Sequence, residues 1–217
     1  AAENKLDVQF GSAADVVELT GNSITVTGAA TTTYTGINEL VMDSAGGQDD
    51  VTVKQTHVGF TEIQTGNDDD TLRIDASRGT IDLKTGAGED QVSLRGVSST
   101  VTVDLGAEND DVFVSSTAAN LGGVLTGIDA LVDLTGGGGL DDLTIDASGD
   151  TSNRVGILNT DRVDGFGLDA AGLEFFGFST LELLLGSGGD VVTINDTHSG
   201  TTKVVTGSGD DIVHVNK

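Results

Sequence analysis

The sequence predicts an all-β fold, a parallel β-solenoid of the β-roll or β-helix kind with about eight coils, three of them wider than the rest. Three observations carry that prediction. A turn of the form Gly-x-Gly-x-Asp, followed by x-apolar-x-apolar, recurs with its aspartate at Asp15, Asp49, Asp70, Asp90, Asp110, Asp141, Asp190 and Asp211. Successive aspartates stand 34, 21, 20, 20, 31, 49 and 21 residues apart. That is a basic unit of about 20 residues with three longer spacers, a period that belongs to stacked repeats. Second, the columns flanking the turn alternate. Two residues after the aspartate stand Val17, Val51, Leu72, Val92, Val112, Leu143, Val192 and Val213, and two further on Leu19, Val53, Ile74, Leu94, Val114, Ile145, Ile194 and Val215. Between them lie Glu18, Thr52, Arg73, Ser93, Phe113, Thr144, Thr193 and His214, the period-two pattern of a strand with one buried face. Third, the 217 residues include 32 glycines and no proline. Many turns use glycine, and a body in which nearly every amide donates to a neighbouring strand has no place for proline.

Each unit reads as strand, acidic turn, strand and return turn. The strand before the turn is marked seven residues upstream of the aspartate by Val8, Met42, Ile63, Leu83, Val103, Leu134, Leu183 and Val204. Strands of about five residues cannot bury an apolar face alone, whereas stacking at about 4.8 Å closes a shared core roughly 38 Å long. The spacers share a Gly-apolar-polar-x-Leu core, at Tyr34 to Leu40, Leu125 to Leu131 and Phe175 to Leu181, and are expected to form wider corners. The longest spacer also holds an alternating run, Arg154 to Leu168, that reads as a hairpin or a further coil. The repeat spans Leu6 to Val215 without a linker, so residues 1–217 read as one domain.

Composition excludes several functions. There is no cysteine, so neither disulfides nor thiolate metal sites are available. A formal net charge of -25 argues against nucleic acid and anionic lipid, and for cations. No apolar run is long enough to span a membrane as a helix. The opening Ala1-Ala2-Glu3 is compatible with a mature end after signal cleavage, so the expected location is extracellular or cell-surface.

The acidic turns are the candidate site. In register, their aspartates form a single file with neighbours about 5 Å apart, where two carboxylates repel by roughly 0.9 kcal/mol in water and about four times more at an effective dielectric of 20. Calcium neutralises such a file, since it takes six to eight oxygens from carboxylates and carbonyls. Metal-ligand candidates are Asp15, Asp49, Asp70, Asp90, Asp110, Asp141, Asp190 and Asp211, with Asp68, Gly88, Glu108, Gly139, Gly188 and Gly209 two places upstream of six of them. A metal-free ladder, with each aspartate accepting hydrogen bonds from turn amides, is the alternative.

In these residues the chain resembles the RTX, or haemolysin-type, calcium-binding repeat proteins. Gly86-Ala87-Gly88-Glu89-Asp90-Gln91-Val92, Gly186-Ser187-Gly188-Gly189-Asp190-Val191-Val192 and Gly207-Ser208-Gly209-Asp210-Asp211-Ile212-Val213 are the clearest copies. The resemblance covers about a third of the chain. It implies a right-handed parallel β-roll that folds on binding calcium outside the cell, with the turn aspartates as ligands. The chain departs from the family in its return turns, such as Thr56-His57-Val58-Gly59 and Ala76-Ser77-Arg78-Gly79, which lack the motif. Several calcium ions are therefore expected along one edge only.

Catalysis is not expected. His57, His198 and His214 fall on return turns or an outward column without a partner cluster and read as solvated surface residues. The outward column is too irregular for an ice-binding array. The half-coils Leu6 to Leu19 and Thr202 to Val215 carry no capping segment and have complementary form. Bare strand edges pair with matching strands, and a head-to-tail contact of this kind propagates. The expectation is a calcium-binding structural subunit of an extracellular filament or surface layer whose protein partner is itself, a head-to-tail homopolymer. The alternative is an adhesin segment or glycan-binding module within a larger RTX-like surface protein.

Overall fold

Period-two alternation builds strands throughout the chain. The structure, a computed structural model, describes residues 4–216 and contains no helix among them. Strands β1 (Lys5–Gln9) and β2 (Val16–Thr20) flank the first acidic turn, and β3 (Ser23–Val26) and β4 (Thr32–Thr33) follow them. The next flanking pairs are β5 (Glu39–Asp43) with β6 (Asp50–Val53), and β7 (Phe60–Asn67) with β8 (Thr71–Ile74). After these come β9 (Ile81–Ala87) with β10 (Gln91–Leu94), β11 (Val101–Ala107) with β12 (Asp111–Val114), and β13 (Val132–Thr135) with β14 (Asp142–Asp146). The longest spacer holds β15 (Val155–Leu158), β16 (Arg162–Gly165) and β17 (Leu173–Phe176). The last pairs are β18 (Thr180–Leu184) with β19 (Val191–Ile194), and β20 (Thr201–Val205) with β21 (Ile212–Val215).

These strands form two parallel-rich sheets. The first runs β1-β5-β7-β9-β11-β13-β17-β16-β15-β19-β21 and the second β20-β18-β14-β12-β10-β8-β6-β2-β3-β4. In the first six units the strand before the turn enters the first sheet and the strand after it the second. Val8, Met42, Ile63, Leu83, Val103 and Leu134 pair in register, as do Val17, Val51, Leu72, Val92, Val112 and Leu143. From Met42 and Val17 onward every member of these two columns is buried, within one continuous apolar cluster. A one-residue slip would turn each column to solvent, so burial locks the register.

The long spacer then reverses the phase. Strands β15 and β16 form a hairpin, with Leu158 opposite Val163, and β16 pairs antiparallel with β17. Strand β17 takes the place beyond β13, setting Phe175 beside Leu134, and β18 takes the place beyond β14, setting Leu183 beside Ile145. Leu183 and Val204, expected to continue the Leu134 column, instead continue that of Ile145 in the second sheet. Val192 and Val213 line up with Gly156 in the first. The last two acidic turns therefore lead from the second sheet to the first, opposite to the first six.

The spacers also differ from the expected corners. The first supplies a hairpin, not a widened corner: β3 pairs antiparallel with β2 across the two-residue turn Gly21-Asn22, and β4 follows β3. Two-residue turns carrying glycine are the favoured hairpin connection. The Tyr34 hydroxyl donates to the Thr20 carbonyl at 2.5 Å, fastening the segment. At this end the second sheet thus runs on past β2, a correction to the expectation of a bare half-coil, while β1 is the edge strand of the first sheet among the described residues. At the other margin β20 and β21 have free edges, and the inward-column residues Val213 and Val215 are 47% and 68% exposed.

Candidate functional site: the aspartate ladder

Six of the eight acidic turns, those of Asp49, Asp70, Asp90, Asp110, Asp141 and Asp211, bend twice through left-handed backbone, four and two residues before the aspartate. Gly86 and Gly88 have φ of 108° and 144°, and Gly137 and Gly139 have 101° and 139°. A side chain at Gly139 would collide with the Glu108 carbonyl of the preceding unit, so close turn-to-turn stacking as well as φ requires glycine there. Asp68 and Glu108 adopt the same bend at φ 78° and 83°. Both side chains are exposed.

Stacking these turns produces a ladder of side chain on backbone. The amides of Asp15, Asp49, Asp70 and Asp90 each donate to Oδ1 of the next ladder aspartate, at 2.8 Å. The Asp110 amide donates to Asp141 Oδ1 at 3.1 Å. Asp49, Asp70, Asp90, Asp110 and Asp141 are at most 2% exposed, and Oδ2 of all five is buried without a hydrogen-bond partner. One carboxylate oxygen per unit is thus spent on the backbone and the other is orphaned. An unpaired buried acceptor is costly, and more so when charged.

Burial accordingly pushes these carboxyls upward. Asp110 is raised to about 7, mainly by burial, with the Asp90 amide opposing and the Asp90 and Asp141 carboxylates adding. Asp70 is raised to about 6, again chiefly by burial, against the Asp49 amide and the Thr65 hydroxyl. Asp49, Asp90 and Asp141 are raised for the same leading reason, with the Ser44 and Thr85 hydroxyls offsetting part of it for the first two. The Ser44, Thr65 and Thr85 hydroxyls, five places before the aspartates, donate to the Thr65, Thr85 and Leu105 carbonyls of the next unit, which leaves each Oδ2 unpartnered. They form a polar column that sequence reasoning missed although the spacing displays it.

The eight aspartates do not make one file. Asp15 to Asp141 form a run of six, and the Ser179 amide, donating to the Asp141 carbonyl at 2.8 Å, continues the stack beyond it. Asp190 and Asp211 stack instead on the β14–β15 connection. Arg154 N–H donates to Asp190 Oδ1 at 2.7 Å, and Asp190 N–H to Asp211 Oδ1 at 2.9 Å. Gly188 and Gly209 belong to that second file. Among the other candidates, Asp68 accepts the Gly47 amide at 3.0 Å on the exposed side of its turn, and Gly88 and Gly139 shape turns of the first.

The fit to calcium rests on the five orphaned oxygens. Among the described residues, no three acidic or histidine side chains converge on a point. The ladder therefore offers a cation one buried carboxylate oxygen from each of Asp49, Asp70, Asp90, Asp110 and Asp141, and backbone carbonyls or water would supply the rest of a six- to eight-oxygen shell. Bound there, calcium would neutralise negative charge that the turn otherwise buries alone.

Two histidines differ from expectation. His57 is buried, its ring edge-on to Tyr34 at 6.2 Å and its Nδ1 3.3 Å from the Thr61 hydroxyl. The β3–β4 segment that brings Tyr34 over this turn is what covers it. His198 packs edge-on against Phe175 at 5.9 Å and lines a cleft, while His214 lies exposed on β21. The fold and site define the class, an all-β chain of two parallel-rich sheets joined by stacked acidic turns. No family model matches the chain, and no curated protein or solved structure matches it.

Proposed function

We propose that the two sheets are opposite walls of a parallel β-solenoid whose acidic edge is stabilised by calcium, and that the protein acts structurally in an extracellular filament or surface layer. The observation that carries this reading is the row of five buried, unpartnered carboxylate oxygens. Each calls for a proton or a cation, and calcium at extracellular concentrations suits modules that bind it weakly. The likeness of the turns to RTX repeats supports the same chemistry. The role is mechanical, not catalytic: cations relieve repulsion along the turns, the units consolidate, and the stack transmits load through continuous backbone hydrogen bonds.

Assembly would use the free strand edges. Strands β1 and β21 run in the same sense, because the two antiparallel steps on either side of β16 cancel. One copy's β21 can therefore extend onto the next copy's β1 in parallel, with exposed Val213 and Val215 gaining cover. The β3–β4 hairpin favours the second reading, a surface adhesin segment or binding module, because it closes the second sheet at the end where a filament contact would form.

Negative-stain microscopy and melting curves with calcium and with chelator test the reading. Calcium-dependent filaments and a higher melting temperature support it. Monodisperse particles with calcium-dependent stability favour the module, and no calcium effect on stability removes the metal from both.

A further inference from the structure

The phase reversal creates a cleft that the aspartate ladder does not use. Three connections meet there: the β15–β16 loop through Thr160 and Asp161, the β17–β18 link through Gly177, Phe178 and Ser179, and the β19–β20 link through His198 and Ser199. The space measures about 480 Å³, within the range of small-molecule sites. Phe176, beside Thr135 of β13 on the outer face of the first sheet, is 74% exposed at the cleft wall. Phe175 and Phe178 are buried behind it.

The polar groups restrict what fits. His198 is engaged by its own loop, with Nδ1 accepting the Gly200 amide and Nε2 donating to the Thr201 carbonyl, both at 3.1 Å. Both ring nitrogens are therefore occupied, and none is left for a ligand. Arg162, the nearby cation, is held by Asp164 at 2.8 Å and Glu174 at 2.6 Å. Asp161 is left without an ion pair among the described residues. The cleft thus combines an exposed aromatic face, one free carboxylate acceptor and the hydroxyls of Thr160, Ser179 and Ser199, with no available cation.

We propose that this cleft binds a neutral hexopyranose unit of a glycan. The apolar C–H face of the sugar packs on Phe176, its hydroxyls donate to Asp161, and the serine and threonine hydroxyls complete the ring of contacts. A carboxylated or sulfated sugar is disfavoured by Asp161 and by the net charge of -25. The inference goes beyond the structural role and does not depend on calcium.

Titration calorimetry on the full chain, with neutral tetrasaccharides of glucose, mannose, galactose and N-acetylglucosamine and with tetragalacturonate, tests it. The expected result is binding of at least one neutral sugar with a dissociation constant on the order of 1 mM, what roughly a dozen contacting atoms can supply. Phe176→Ala and Asp161→Asn should each weaken it about tenfold, a loss of ~1.4 kcal/mol, without shifting the melting temperature. No neutral sugar bound at about 10 mM, binding unchanged in both variants, or preference for tetragalacturonate would overturn the proposal. Calcium-dependent melting is a separate readout, so loss of sugar binding and loss of the metal reading are distinguishable.

Discussion

Replacing Asp110 with asparagine removes one charge from the ladder and keeps its geometry. The carboxamide oxygen still accepts the Asp90 amide, and its NH2 stands where the unpartnered Oδ2 lay. Asp110 is raised from 3.8 to about 7, so the folded state holds a proton that the unfolded chain has released. Stability from such a group is fully present below the unfolded value and is lost as pH rises through about 7. One pK unit is worth about 1.4 kcal/mol, so a deeply buried carboxyl shifted this far would cost ~4 kcal/mol at pH 8. Relaxation of the turn around the charge reduces that figure, and ~2 kcal/mol is the magnitude expected. In chelator at pH 8, Asp110→Asn should therefore melt about 4 °C above the parent. At about pH 3.5, below the unfolded value, the two should differ by less than about 1 °C, since the carboxyl is then protonated in both states. At about pH 5 the difference should be somewhat under half of that at pH 8. Calorimetric melts between about pH 3.5 and pH 8.5 read the whole range. The chain's overall negative charge also makes stability fall with pH, but that slope is common to both proteins and cancels in the difference. A variant less stable than the parent at pH 8, or a difference that does not change with pH, would refute the reasoning.

Other perturbations probe the stack and its closure. Leu83→Ala empties a fully buried site in the central column and should cost about 2–5 kcal/mol, read by chemical denaturation. Gly139→Ala forces a side chain into the Glu108 carbonyl at φ 139°. It should cost about 2 kcal/mol, roughly 5 °C in a thermal melt. Tyr34→Phe deletes the hydroxyl that holds the Thr20 carbonyl and should cost about 1 kcal/mol, with faster hydrogen exchange confined to β2 and β3.

The apolar columns were legible because period-two burial leaves one workable register. Val17 through Leu143 and Met42 through Leu134 pair as their spacing requires. The phase reversal was not legible. A Gly-x-Gly-x-Asp turn flanked by alternating strands reads the same whichever sheet it leaves, and only the number of strands in the intervening spacer decides the matter. With β15, β16 and β17 all inserted in the first sheet, Asp190 and Asp211 fall out of line with Asp141. The ladder aspartates themselves could be picked from their column, but the column does not disclose that one oxygen caps a neighbouring amide while the other is buried and unpaired. The burial of His57 was hidden for a related reason, since its cover comes from Tyr34 in an irregular segment outside the repeat. The Phe176 cleft has no sequence signal, being assembled from three connections that only the reversal brings together.

Diffraction from crystals grown with calcium, with anomalous data to locate the ions, addresses the ladder most directly. The account predicts calcium peaks within about 2.3–2.6 Å of the second oxygens of Asp49, Asp70, Asp90, Asp110 and Asp141. Turns without such peaks, at a pH where the carboxyls are ionised, would contradict it.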